Sequence, residues 1–198
     1  MELQKANGWA PFTHGQMHYS LLIRDVERDI VPMMQRYGLG LTVWSPLVSG
    51  FLSGKYTKEN LSDKDNRMSG FDFMPFDKEA GFRLVEKLRA IAAGHEIGGG
   101  GGAGAAAQGT RGGNATGGGG RASVAQVAIA WLMAKKVVSS VIVGASKLSQ
   151  LEDNLAAADV RLSADEIAAL DELTKPAAVY PNWFSELVVD GPVKEALK

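Results

Sequence analysis

Short apolar runs alternate with stretches of helical periodicity along this 198-residue chain, and no two runs are joined by a hairpin-type turn. Leu39–Trp44 reads as a strand, apolar with a β-branched pair at Thr42 and Val43, and led in by Gly38 and Gly40. It stops at Ser45-Pro46, because proline cannot donate to a sheet ladder. Pro11–Tyr19 contains a second short strand with Gln16 near its end, and Val137–Val143 reads as a buried third. Parallel strands require a crossover of a dozen or more residues, and helix-length segments lie between these strands. The expectation is a parallel sheet.

The crossovers are legible in outline. Glu2–Asn7 reads as a helix tail capped by Gly8, and Arg24–Tyr37 as a helix with Gly38 as its stop and Pro32 forcing a kink or a late start. Asp77–Ala93 is amphipathic through Phe82, Val85, Leu88 and Ile91. Ser123-Val124-Ala125-Gln126 has capping-box spacing and opens a helix to Lys136 that buries Val124, Val127, Ala128, Trp131 and Leu132. Leu148–Ala158 is a further helix, and Ser163–Glu166 a second capping box for a helix through Leu173. A (β/α)8 barrel takes about 250 residues. The expected fold class is therefore α/β, part of a TIM barrel with about three βα units. Such a sheet leaves edges open, so self-association through them is one expected outcome.

Gly98–Gly120 differs in kind. It holds 13 of the chain's 24 glycines and no aromatic or branched aliphatic side chain, so it has little apolar surface to offset the entropy of ordering. No strand leads into its glycine runs and no Gly-Lys-Ser/Thr follows, which excludes a phosphate loop. Residues 98–122 read as a flexible insertion or linker between 1–97 and 123–198.

Composition narrows the function. A net charge of −1 gives no electrostatic reason for a nucleic-acid or anionic-membrane partner. The absence of cysteine excludes disulfides and thiolate metal sites and fits a reducing, cytoplasmic compartment. No apolar run reaches the length of a membrane span, and no signal-peptide core follows Met1.

Two stretches could carry chemistry. After Trp44 the chain runs through Ser45, Leu47, Gly50 and Gly54 to Lys55: an aromatic ring at a strand end, then small residues, then a cation. That pattern suits a flat ring joined to phosphates, and equally an ordinary strand–turn with a core indole. On the helix from Leu148, Gln150, Asp153 and Asn154 share one stripe, with Leu148, Leu151, Leu155 and Ala158 pointing away. An amide beside a carboxylate can read an adenine edge, and Ser146 and Lys147 sit where a phosphate would meet the helix N-terminus. The other reading of that stripe is a solvated polar face.

Taken together, Gln16-Met17-His18-Tyr19-Ser20, Arg24-x-x-Glu27, Trp44-Ser45-Pro46-Leu47 through Ser53-Gly54-Lys55-Tyr56, and Val143-Gly144-Ala145-Ser146-Lys147 with Gln150, Asp153 and Asn154 resemble the C-terminal part of the aldo-keto reductases. The resemblance is to the bacterial branch related to potassium-channel β-subunits. It implies NADP(H) as cofactor, with Gln16 on the nicotinamide carboxamide and Trp44 on its ring. Ser45, Leu47 and Lys55 would hold the pyrophosphate, while Ser146, Lys147 and Arg67 would meet the 2′-phosphate. Gln150, Asp153 and Asn154 would hold the adenosine end, Asp153 standing where the family usually has the longer Glu. The family's catalytic Asp, Tyr, Lys and His lie on the first four barrel strands, which the resemblance places upstream of Met1. The expectation is a chain with no catalytic and no metal-ligating residue of its own, acting on a small carbonyl substrate only when completed by those strands. Tyr19, Tyr37, Tyr56 and Tyr180 are expected to pack, and His14 and His18 to make strand-end polar contacts.

Overall fold

The computed structural model describes residues 1–61, 74–97, 120–188, 191 and 195, without the side chains of 185–187. In chain order the elements are α1 (Glu2–Asn7), β1 (His14–His18), α2 (Ile30–Tyr37), β2 (Gly40–Trp44), α3 (Lys78–Ala92), α4 (Val124–Met133), β3 (Val138–Val141), α5 (Leu148–Leu155), α6 (Ala164–Leu173) and α7 (Asn182–Val188). Pro32 marks a late start rather than a kink. Asp25–Glu27 forms a separate 3-10 turn and α2 begins at Ile30, placing the proline in the first helical turn, where a missing N–H costs nothing. The caps are local and behave as their spacing dictates. Asp77 accepts from the amides of Glu79 and Ala80, and the Ser123/Gln126 and Ser163/Glu166 boxes close in both directions.

The three strands form one parallel sheet in the order β1-β2-β3. Gln16 lies opposite Thr42 and His18 opposite Trp44; Thr42 in turn lies opposite Ser140. Alternation then separates two faces. Leu41 and Val43 are fully buried on the helix side, and Met34 of α2 packs so close over β1 that a Cβ at position 15 would lie 2.2 Å from its terminal methyl, which would have to shift. The opposite face carries His14, Gln16, His18, Thr42, Trp44 and Ser140, and none of these is buried. One face is core; the other is polar and open.

β3 departs from expectation. It is shorter than Val137–Val143, and Ser139 and Ser140 are exposed while Val138 and Val141 are only half-buried. A strand with one neighbour has its far side and its upper face uncovered, so its apolar content does not ensure burial. Two of the tyrosines expected to pack, Tyr37 and Tyr180, are exposed, whereas Tyr19 and Tyr56 are core residues.

The core runs from Leu41 and Val43 through Leu84 and Leu88 of α3 to Val127, Trp131 and Leu132 of α4. Trp131, fully buried, has Arg24 and Lys135 near its ring at 5.3 and 4.4 Å and donates its indole N–H to Asp171 at 3.0 Å. At the margin of this core, which includes Ala122 and has Ile97 packed against it, Ile97 N–H donates to the Gly120 carbonyl and Ala122 N–H to that of His95, both at 2.8 Å. Those two bonds close the base of the glycine-rich stretch, whose residues 98–119 lie outside the described ones.

Candidate functional site

The strand ends decide where a site can form. In a parallel sheet all C-termini point to one end, and ligands of α/β proteins gather there. Trp44 terminates β2 at that end, and the Ser146 turn follows β3 at the same end.

The loop after Trp44 is locally strained. Ser45, Val48 and Ser49 have φ of 52, 49 and 53°, and Gly50 has 88°. A left-handed valine is a genuine outlier, because its branched Cβ crowds the carbonyl, and such residues cost roughly 1–3 kcal/mol each. The turn is held by Val48 N–H on the Ser45 carbonyl (3.1 Å), Gly50 N–H on that of Leu47 (3.0 Å) and the buried Val48 and Phe51 side chains. Phe51 leans on Gly81 of α3 so closely that a Cβ there would lie 2.7 Å from its ring. Ser45 Oγ donates to the thioether of Met74 at 3.7 Å. Lys55 is exposed, its Nζ 4.7 Å from the Tyr56 ring.

Gln16 is exposed on the open face of β1. Two residues further along β1 and opposite Trp44 is His18, whose ring stacks on the indole with centroids 4.5 Å apart and planes 24° apart. Burial holds the His18 pKa below its ordinary value, against a hydrogen bond with the Ser45 backbone that favours the charged ring. Its Nε2 is buried without a hydrogen-bond partner, a state worth about 1–3 kcal/mol of lost solvation. Sequence reasoning passed over this contact. His18 is two residues beyond Gln16, so alternation puts it on the same face, but only the β1–β2 register sets it against Trp44.

The helical stripe of α5 is split: Asp153 and Asn154 are turned inward, while Gln150 is exposed. Asp153 Oδ2 accepts from Ser123 Oγ at 3.0 Å and Oδ1 from Gln126 Nε2 at 2.9 Å, tying α5 to the N-terminus of α4. Burial pushes the Asp153 carboxyl above its usual range, and the Ser123 bond opposes that. Asn154 is 8% exposed and lines a cavity of about 380 Å³ with Ile129, Val141 and Ala158. Gln150 Oε1 accepts from both the amide and the hydroxyl of Ser146, at 3.0 and 3.1 Å, and Lys147 is exposed at the N-cap. The leucines point outward instead: Leu148 is 70% and Leu155 60% exposed. Asp153 is thus committed to α4, while Gln150 and Asn154 remain on that side of the helix. Arg67 lies outside the described residues. Among the described residues no helix is long and apolar enough to cross a membrane, and no cluster of three acidic or histidine side chains could hold a metal.

Comparison with known proteins joins these pieces. The profile of the aldo/keto reductase family matches residues 1–99 and 115–175. A probable voltage-gated potassium channel subunit beta of Oryza sativa subsp. japonica is 36% identical over 150 residues, covering 73% of this chain and 38% of that protein. An aldo-keto reductase of Fusarium vanettenii is 27% identical over 177 residues, 89% of this chain and 40% of its own length. Probable aldo-keto reductase 1 of Glycine max is 25% identical over 170 residues, 86% and 42% respectively. The chain spans about two-fifths of the length of these relatives. Its three parallel strands with helical crossovers form a section of the (β/α)8 barrel that such proteins adopt. This chain belongs to the aldo/keto reductase family.

Proposed function

We propose that this chain is the cofactor-binding part of an NADP(H)-dependent aldo-keto reductase and does not turn over alone. The observation carrying the reading is the placement of Gln16 and Trp44 on one open sheet face, with Trp44 running straight into a strained left-handed loop. Strain of this kind is enriched at active sites and ligand clamps. Trp44 would take the nicotinamide ring and Gln16 its carboxamide; Ser45, Leu47 and Lys55 would take the pyrophosphate. Ser146 and Lys147 would meet the 2′-phosphate with Arg67, and Gln150 and Asn154 the adenosine. Asp153 would act by fixing α5 against α4, given its two existing bonds. When bound, the dinucleotide supplies the hydride for a small carbonyl substrate.

The two buried phenols support the absence of turnover. Tyr19 donates to Glu27, and burial with that carboxylate pushes its pKa far up, the opposite of an activated acid. The Tyr56 hydroxyl is buried without a partner. Loss of a general acid costs about 10²–10⁴ in rate.

A second reading has its own support: a non-catalytic NADP(H)-binding or partner-docking module. Relatives in Oryza sativa and Arabidopsis thaliana are described as potassium channel β-subunits, and α5 offers exposed leucines beside the free edge of β3. Millimolar NADPH is expected to shift the melting temperature and tryptophan emission of the purified chain under either reading. No shift in either would remove both. Carbonyl reduction by the chain mixed with the first four strands of a family barrel, and not by the chain alone, separates the first reading from the second.

A further inference from the structure

His18 occupies the indole without being fully accommodated there. Its ring is stacked at 4.5 Å on Trp44, yet Nε2 is buried with no hydrogen-bond partner. In water both imidazole nitrogens are bonded, so leaving the stack solvates Nε2 while the bond with the Ser45 backbone is exchanged for one to water. The ring also stands on the sheet face opposite to Leu41 and Val43, the face that carries exposed Gln16.

We propose that His18 is a placeholder for a planar ligand ring, covering one face of Trp44 until the ligand takes over that contact. The inference rests on the cofactor reading above, in which the ring is nicotinamide. A fixed ligand contact and a placeholder differ in sign. Removing a contact weakens binding; removing a competitor strengthens it.

The test uses the full chain titrated with NADPH and with 2′,5′-ADP, which has the adenosine end but no nicotinamide. His18→Ala is expected to bind NADPH roughly three- to tenfold tighter, the range set by one aromatic stack. His18→Phe, which stacks without an orphaned nitrogen, is expected to bind it more weakly by a similar factor. Neither change should alter 2′,5′-ADP affinity. In the unmutated chain, the His18 ring protons, assigned by their loss in His18→Phe, should lose their upfield ring-current shift as NADPH saturates. Unchanged or weaker NADPH binding by His18→Ala, or a ring-current shift that survives saturation, overturns the placeholder role alone. Uptake of neither ligand by the unmutated chain removes the cofactor reading and this inference with it.

Discussion

Arg24 grips Glu27 through a two-bond fork, Nε to Oε1 and Nη2 to Oε2, each 2.8 Å long. The remaining nitrogen, Nη1, reaches the Asp171 carbonyl at 2.9 Å and Thr174 Oγ1 at 2.8 Å, so one guanidinium joins the turn after β1 to the end of α6. Tyr19 donates to the same Glu27 at 2.5 Å. The arrangement fixes the segment that follows His18, and hence the end of the open sheet face.

Arg24→Met should therefore destabilise the chain strongly. Arg24 is 8% exposed and Glu27 is a quarter exposed, so the loss belongs near the low end for a broken buried pair, about 3 kcal/mol. Tyr19→Phe, which removes one bond to a charged acceptor, should cost about 1.5 kcal/mol. Urea denaturation of both variants measures this; Arg24→Met within 0.5 kcal/mol or so of the parent would show a solvent-screened pair.

Two carboxylates give opposite pH dependences. The Asp153 pKa is raised by burial, so the folded chain holds that proton longer than the unfolded one. Its favourable contribution is present below the ordinary Asp range and is lost as pH rises through the raised value. The Glu166 pKa is lowered overall, its bonds to the Ser163 backbone and to His95 outweighing burial. That contribution is present above the ordinary Glu range and lost as pH falls through the lowered value. Asp153→Asn should thus stabilise the chain at pH 7 and lose its advantage in acid, whereas Glu166→Gln should be destabilising at pH 7 and level with the parent in acid. Melting temperatures of both variants from pH 3 to 8 check the signs.

What the chain discloses in advance depends on how local each feature is. The Asp77, Ser123 and Ser163 caps are bonds between residues two or three apart, so spacing alone specifies them. The stops at Gly8 and Gly38 are equally local. The orientation of α5 is not. A helical wheel relates Gln150, Asp153 and Asn154 to one another, but which way they face was settled by Ser123 and Gln126, about 30 positions away. The exposure of β3 likewise depends on what lies across its free edge, and the His18–Trp44 stack on a register between separate strands. The family motifs lie at strand ends and on one helix, and they leave these non-local contacts unread.

The two ends of the proposed nucleotide site should respond separately to mutation. Trp44→Ala is expected to weaken NADPH binding by about tenfold, the upper end for one lost aromatic stack, and to leave 2′,5′-ADP unaffected. Asn154→Ala is expected to weaken both ligands. Titration of each variant with each ligand gives the comparison. Equal losses in the two variants for both ligands would dissolve the distinction between a ring end and an adenosine end.

Removal of residues 98–119 should leave the rest of the fold in place. The bonds from Ile97 N–H to Gly120 and from Ala122 N–H to His95, with the antiparallel bridge between Glu96 and Arg121, already bring the flanks together like the base of a hairpin. A two-residue Asn-Gly connection suits such a base, because its type I′ turn matches the twist of paired strands. Loop-closure entropy grows with the logarithm of length, so replacing 22 residues by two should stabilise the chain by about 2 kcal/mol if the base is kept. The expected readout is a retained helical circular-dichroism signal and a raised melting temperature. Loss of helix on deletion would mean that α3 and α4 depend on the glycine-rich stretch for more than their connection.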